Sequence, residues 1–135
     1  MLRAAVEAAG TELHVVAVTV LTSHSAASLG PVLGRPVADP GDDVRRLAEL
    51  AMGTGVAGVV CSPHEVALVR EVVGQGRIVV PGIRRETDGL GDQVRVATPA
   101  AAVAAGATHL VVGRPITEAV DPAAAYSTFH KETCN

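Results

Sequence analysis

Two short segments of this chain combine glycine with arginine in a way that suits an anion. Pro81-Gly82-Ile83-Arg84-Arg85 and Gly113-Arg114-Pro115-Ile116-Thr117 each follow a run of β-branched residues. Glycine lets backbone N–H groups approach an anion, and a guanidinium forks onto two of its oxygens. Taken alone, a Gly-Arg-Pro tripeptide is a weak signal, and a strand-end arginine is often only a solvated side chain. Two such corners on adjacent strands point to a phosphate site, and a short helix over residues 117–120 is expected to add its N-terminal dipole. Thr22-Ser23-His24-Ser25 follows the first apolar run and offers hydroxyls to a polar ligand. Gly89-Leu90-Gly91-Asp92-Gln93 continues the loop after the third run.

Other chemistries find less support. His24, His64, His109 and His130 are scattered without metal-ligand spacing, so structural or surface roles are expected and no metal site is assigned. Ser23 and Ser25 lack a nucleophile elbow. Cys61 and Cys134 form no close-spaced pair; Cys61 reads as a small buried strand-end residue, and a reducing cytoplasm is expected. Charge agrees with the phosphate reading. Residues 77–114 hold five arginines against Glu86, Asp88 and Asp92, a balance of +2, and the rest of the chain stands at −5 within a net −3.

The 135 residues and 13.7 kDa suit one domain, taken as residues 1–135. Apolar residues make up 48% and aromatic ones 1%, with 23 Ala and 23 Val, so the core must be built from small and β-branched side chains. High hydrophobicity with little net charge excludes a disordered chain. With Tyr126 and Phe129 as the only aromatic platforms, binding of single-stranded nucleic acid by base stacking is not expected. Apolar runs such as residues 15–21 are far too short to cross a bilayer, and no membrane partner is expected. The charged opening Met1-Leu2-Arg3-Ala4-Ala5-Val6-Glu7 does not read as a signal peptide.

The elements that must carry these corners are four β-branched runs, residues 14–21, 58–61, 77–80 and 109–112, read as strands of a parallel sheet buried on both faces. Helical signals lie between them. Ser62-Pro63-His64-Glu65 fits a capping box opening a helix to about Val73. Thr98-Pro99 starts an Ala-rich helix that Gly106 ends, and Asp121-Pro122 starts the last. Val44, Leu47, Ala48 and Ala51 form a core-facing helical stripe. Residues 30–41 and 82–95 read as loops. Residues 1–9 look helical but carry no capping residue in front, which fits either a frayed terminal helix or missing upstream sequence. The fold class is therefore α/β.

Taken together, several segments resemble the orotidine 5'-phosphate decarboxylase family: Val18-Thr19-Val20-Leu21-Thr22-Ser23, Gly58-Val59-Val60-Cys61-Ser62, Pro81-Gly82-Ile83-Arg84, Gly91-Asp92-Gln93-Val94-Arg95, Thr98-Pro99, Val112-Gly113-Arg114-Pro115-Ile116-Thr117 and Asp121-Pro122. The resemblance runs through nearly the whole chain and ends near Phe129. It implies a β/α (TIM) barrel that removes the carboxylate of orotidine monophosphate to give UMP in pyrimidine biosynthesis, with no cofactor and no metal. It places Thr22 and Ser23 near the pyrimidine and Arg84 and Arg114 on the 5'-phosphate. Gly113 would add backbone contact, and Gln93 would bridge phosphate and base. Arg85 departs from the family, whose bacterial members often carry Pro there.

The family's catalytic group is an Asp-x-Lys-x-x-Asp array whose lysine protonates the carbanion left by decarboxylation. The one lysine here, Lys131, does not fit it, so no catalytic residue is assigned to this chain. A full barrel needs eight strands and roughly 250 residues, and four strands correspond to the C-terminal, phosphate-gripping half. Such a half-barrel exposes two sheet edges and an apolar inner face. The expectation is a carboxy-lyase by family, inactive alone, that closes its barrel with a complementary half or with copies of itself. The alternative is a half-barrel that binds a phosphate or nucleotide and catalyses nothing.

Overall fold

The computed structural model describes residues 1–88 and 94–133. Its elements alternate: α1 (Leu2–Ala9), β1 (Val16–Val18), α2 (Ala26–Leu33), α3 (Pro40–Met52), β2 (Gly58–Val60), a 3-10 turn (Pro63–Glu65), α4 (Val66–Val73), β3 (Arg77–Val80), α5 (Pro99–Ala104), β4 (His109–Leu110), α6 (Arg114–Thr117) and α7 (Pro122–Thr133). The four strands form one parallel sheet in the order β1-β2-β3-β4. The fold is α/β, as expected of half a β/α barrel.

Register decides which residues share a face. Ala17, Val59 and Ile78 stand opposite one another, and all three are buried. Over this face pack Val44, Ala48 and Ala51 of α3 and Val66, Val69 and Val73 of α4. The next row, Val18, Val60, Val79 and His109, lies on the opposite face. Val60 and Val79 are only half-buried, His109 is exposed, and Val18 is 57% exposed. Burial on both faces is therefore corrected: helices cover one face and the other is open.

The strands are shorter than the apolar runs. Pairing at β1 continues past its ends, because Ala57 N–H donates to Val15 O (2.8 Å) and Thr19 N–H to Val60 O (3.1 Å). The Thr19 hydroxyl donates to the same Val60 carbonyl at 2.8 Å. Beyond it the chain turns to cap α2.

Caps explain most helix starts and two corrections. Asp39 accepts the Gly41 N–H at 2.9 Å with Pro40 behind it, so α3 begins inside the segment read as a loop. Gly30 lies within α2, which ends at Gly34 in the left-handed region, leaving residues 34–39 as the connection. In the Ser62 motif, Ser62 Oγ accepts from His64 N–H (3.2 Å), but the Glu65 carboxylate turns to Arg95 instead of closing a capping box. Thr98 and Asp121 cap α5 and the start of α7 as expected, accepting from Ala101 N–H and Ala124 N–H. In α3, Val44, Ala48 and Ala51 are buried, whereas Leu47 is 39% exposed and leaves the core-facing stripe.

The tightest point in the sheet is Gly58. A Cβ there would come within 2.0 Å of the Arg77 carbonyl oxygen and 2.7 Å of the Arg77 Cβ. β2 and β3 can pair in this register only if residue 58 has no side chain. Gly58→Ala is therefore expected to destabilise the chain by at least the ~1–3 kcal/mol typical of overpacking, read as a lowered urea midpoint. A midpoint equal to wild type would contradict the observed register.

Candidate nucleotide-binding site

Parallel pairing brings the C-terminal tips of all four strands to one edge, where ligands bind in such sheets. Behind β3, Gly82 takes a positive φ of 75°, which turns the chain sharply. The loop's base is then closed by Arg84 N–H to Ala97 O (3.0 Å) and Ala97 N–H to Gly82 O (3.3 Å). Behind β4, Gly113 precedes α6, and the N–H groups of Ile116 and Thr117 fold back onto the Gly113 carbonyl at 2.8 and 3.1 Å. The short helix thus covers Arg114–Thr117 and not residues 117–120, and Arg114 stands in its first position. A Cβ on Gly113 would meet no protein atom within 4 Å, so its backbone is open to close approach.

Arg114 lines a polar recess of about 380 Å³ with Arg85, Thr87, Asp88 and Glu118. Arg84 is not among the lining residues. It is buried, and its Nη1 donates to the Ile83 carbonyl at 2.8 Å. Its charge still helps to hold the Asp88 carboxyl down. Arg85 takes the outer position, with Nη2 2.9 Å from Asp88 Oδ1 and its guanidinium 4.7 Å from the centre of the Phe129 ring. Burial pushes the Asp88 carboxyl up, but the hydrogen bonds and charge of Arg85 prevail and hold it below the usual carboxylate range. Sequence reading marks Arg85 only as a departure from the family, because nothing local tells which of two neighbouring arginines lines a recess.

At β1, Thr22 is buried and Ser23 exposed. The rest of that hydroxyl cluster is structural. Ser25 caps α2 in a reciprocal pair with Ser28: Ser25 N–H donates to Ser28 Oγ (2.9 Å) and Ser28 N–H to Ser25 Oγ (3.3 Å). His24 Nδ1 lies 3.1 Å from the same Ser28 Oγ. Gln93 and its glycine-rich neighbours, residues 89–92, lie outside the described residues. Glu65 and Arg95, two buried groups whose pairing sequence reading missed, form an ion pair beneath this edge. The one signal for them was a charge set between Val94 and Val96. Among the described residues, no group of three or more His, Cys, Asp or Glu could hold a metal ion.

With this geometry in view, the comparisons with known proteins are decisive. Residues 1–129 match the Orotidine 5'-phosphate decarboxylase / HUMPS family. The chain belongs to that family. It is similar to the orotidine 5'-phosphate decarboxylase of Anaeromyxobacter sp. (strain K), 58% identical over 127 residues covering 93% of this chain and 55% of the relative. The Halorhodospira halophila enzyme of the same name is 55% identical over 130 residues, 95% of this chain and 54% of the relative. Among solved structures, the orotidine 5'-phosphate decarboxylase of Lactobacillus acidophilus superimposes with a TM-score of 0.73 at 38% identity, over 90% of this chain and 50% of that one. The chain thus spans about half the length of the relatives it matches.

Cys61, at the tip of β2, is buried as expected. Burial first, and then the Glu65 charge, push its thiol from 9.0 up to about 12, against the opposing pull of Arg95 and Arg70. A raised acid pKa stabilises the fold while the thiol stays neutral. That contribution is complete below about pH 9 and is lost as pH rises toward about 12. The urea midpoint of the wild-type chain, measured against Cys61→Ala, is expected to hold a constant offset from pH 7 to 9 and to fall relative to the variant above it. An offset that does not change with pH would contradict the buried, neutral thiol.

Proposed function

We propose that this chain is the nucleotide-gripping half of an orotidine 5'-phosphate decarboxylase acting in the cytoplasm in pyrimidine biosynthesis. Its ligand is orotidine monophosphate or UMP, and its site residues are Thr22, Ser23, Arg84, Gln93, Gly113 and Arg114. The observation that carries this reading is the recess shared by Arg114, at the start of α6, and the loop after β3, at adjacent strand tips, in a chain of this family.

The chemistry follows from charge. A 5'-phosphate entering the recess meets the Arg114 guanidinium, with the open Gly113 backbone one residue before it, and Arg85 and Arg84 add positive charge from the facing loop. The Asp88 and Glu118 carboxylates balance part of that charge and set where the phosphate oxygens can sit. At the far side, Thr22 and Ser23 face the pyrimidine. Binding energy from a phosphate remote from the reacting carbon is used to stabilise the transition state at the ring. Protonation of the carbanion needs a lysine at the ring, and this chain's single lysine, Lys131, is exposed on α7. That observation favours a second reading for the polypeptide by itself, a binder without turnover.

The catalytic array would come from a complementary half-barrel. Both raw edges of the sheet support such a partner. Beside β4 lies an apolar groove of about 540 Å³ whose walls include Leu110, Val112, Ile116, Tyr126 and Phe129. Beside β1, Leu21, Val32, Leu33, Leu47 and Leu50 line another of about 420 Å³. Leu47 leaves the core because it belongs to this groove. A self-associated barrel closed by a second copy is the alternative occupant. Size-exclusion chromatography of the isolated chain is expected to show association above the 13.7 kDa monomer. A stable monomer at micromolar concentration would count against closure of the edges.

Affinity tests the grip directly. Arg114→Ala is expected to raise the UMP dissociation constant at least tenfold, from loss of a charge-assisted pair worth about 1.5–3 kcal/mol. Isothermal titration checks it, and an unchanged constant would remove Arg114 from the site. Loss of orotidine monophosphate absorbance by the chain alone would refute the need for a second half.

A further inference from the structure

Arg95 closes the loop that follows β3, yet its side chain is only 8% exposed. It reaches across the tips of three strands. Nη1 pairs with the buried Glu65 carboxylate in the 3-10 turn after β2. Nη2 donates to the carbonyl oxygens of Leu21 (2.9 Å) and Val20 (3.5 Å) at the end of β1. Beside it His64 Nε2 lies 3.1 Å from the Val96 carbonyl, which only accepts, so the imidazole donates there. The same loop carries Gly82 and Arg84 at its other end.

As a source of stability this pair is a poor choice. Burying two charges costs about as much as their attraction returns. Here Glu65 Oε2 and Arg95 Nε are also buried without a hydrogen-bond partner among the described residues. Apolar side chains of the same volume would fill the space as well. They could not bond the Leu21 and Val20 carbonyls, which stand directly before Thr22 and Ser23. We propose that Arg95, held by Glu65, is a positioning residue that fixes the Thr22–Ser23 corner against the Gly82–Arg84 corner, so that the base and phosphate ends of one nucleotide are met at a set spacing. This rests on the reading of those corners as a nucleotide site.

The test replaces the pair in the full chain by Glu65→Met with Arg95→Met, which leaves no unpaired buried charge. The expected result is cooperative melting near that of wild type, amide hydrogen exchange at residues 21–24 at least tenfold faster, unchanged exchange in α3 and β2, and a UMP dissociation constant at least tenfold higher. Arg95→Lys, which keeps a cation for Glu65 but cannot also reach both carbonyls, is expected to change the same two readouts in the same direction, and it decides the matter if the double variant does not fold. Unchanged exchange at residues 21–24 in a folded variant would overturn the proposal. So would faster exchange spread evenly over α3, β2 and β3, which would make the pair a general stabiliser, or a freed corner with unaltered UMP affinity. Failure of the wild-type chain to bind UMP would instead remove the nucleotide reading, while the exchange data still decide whether Arg95 holds the β1 corner.

Discussion

In-register parallel pairing is the constraint from which the rest of this molecule follows. Once Val16 stands opposite Gly58, and Gly58 opposite Arg77, every strand must end on the same side. The connecting turns carry the polar chemistry to that side, and the helices return over one face to begin again. Gly58 permits the β2–β3 pairing by lacking a side chain, so a steric detail in the middle of the sheet decides whether the β1 and β2 tips can stand beside the glycine–arginine corner after β3.

The same pairing leaves the structure unfinished at its margins. β1 and β4 each have one strand neighbour among the described residues, and the row through Val18, Val60 and Val79 faces away from the helices. A longer chain of eight strands would bury these surfaces by closing the sheet on itself. Stability and function are therefore unevenly spread. The solid core lies between α3, α4 and the central strands, whereas the groups that meet a ligand sit on turns at the tips. Beneath those turns the Glu65–Arg95 pair takes two opposite charges deep into the structure.

What could be read from the residues was what is encoded locally. The β-branched runs located four strands, and Thr98-Pro99 and Asp121-Pro122 marked helix starts, because a cap and its helix are neighbours in sequence. Gly30 and Gly41 misled, since glycine and proline punctuate loops but also sit inside helix ends when an aspartate such as Asp39 caps them. Glu65 was assigned to a capping box because it stands three residues after Ser62, and its partner Arg95 lies thirty residues further on, where no local rule reaches. That Arg85 lines the recess while Arg84 is buried behind it has the same origin: which of two adjacent arginines faces outward depends on Phe129 and Asp88, not on either residue. Leu47 followed the helical period correctly but faces a sheet edge rather than the core.

The central claim is that this edge of the sheet recognises a nucleotide through its phosphate end. Titrating the chain in parallel with UMP and with uridine tests it most directly, since the two ligands share base and sugar and differ in the anion. The account predicts that uridine binds at least about a hundredfold more weakly, a difference of about 2.7 kcal/mol. Equal dissociation constants for the two would contradict it.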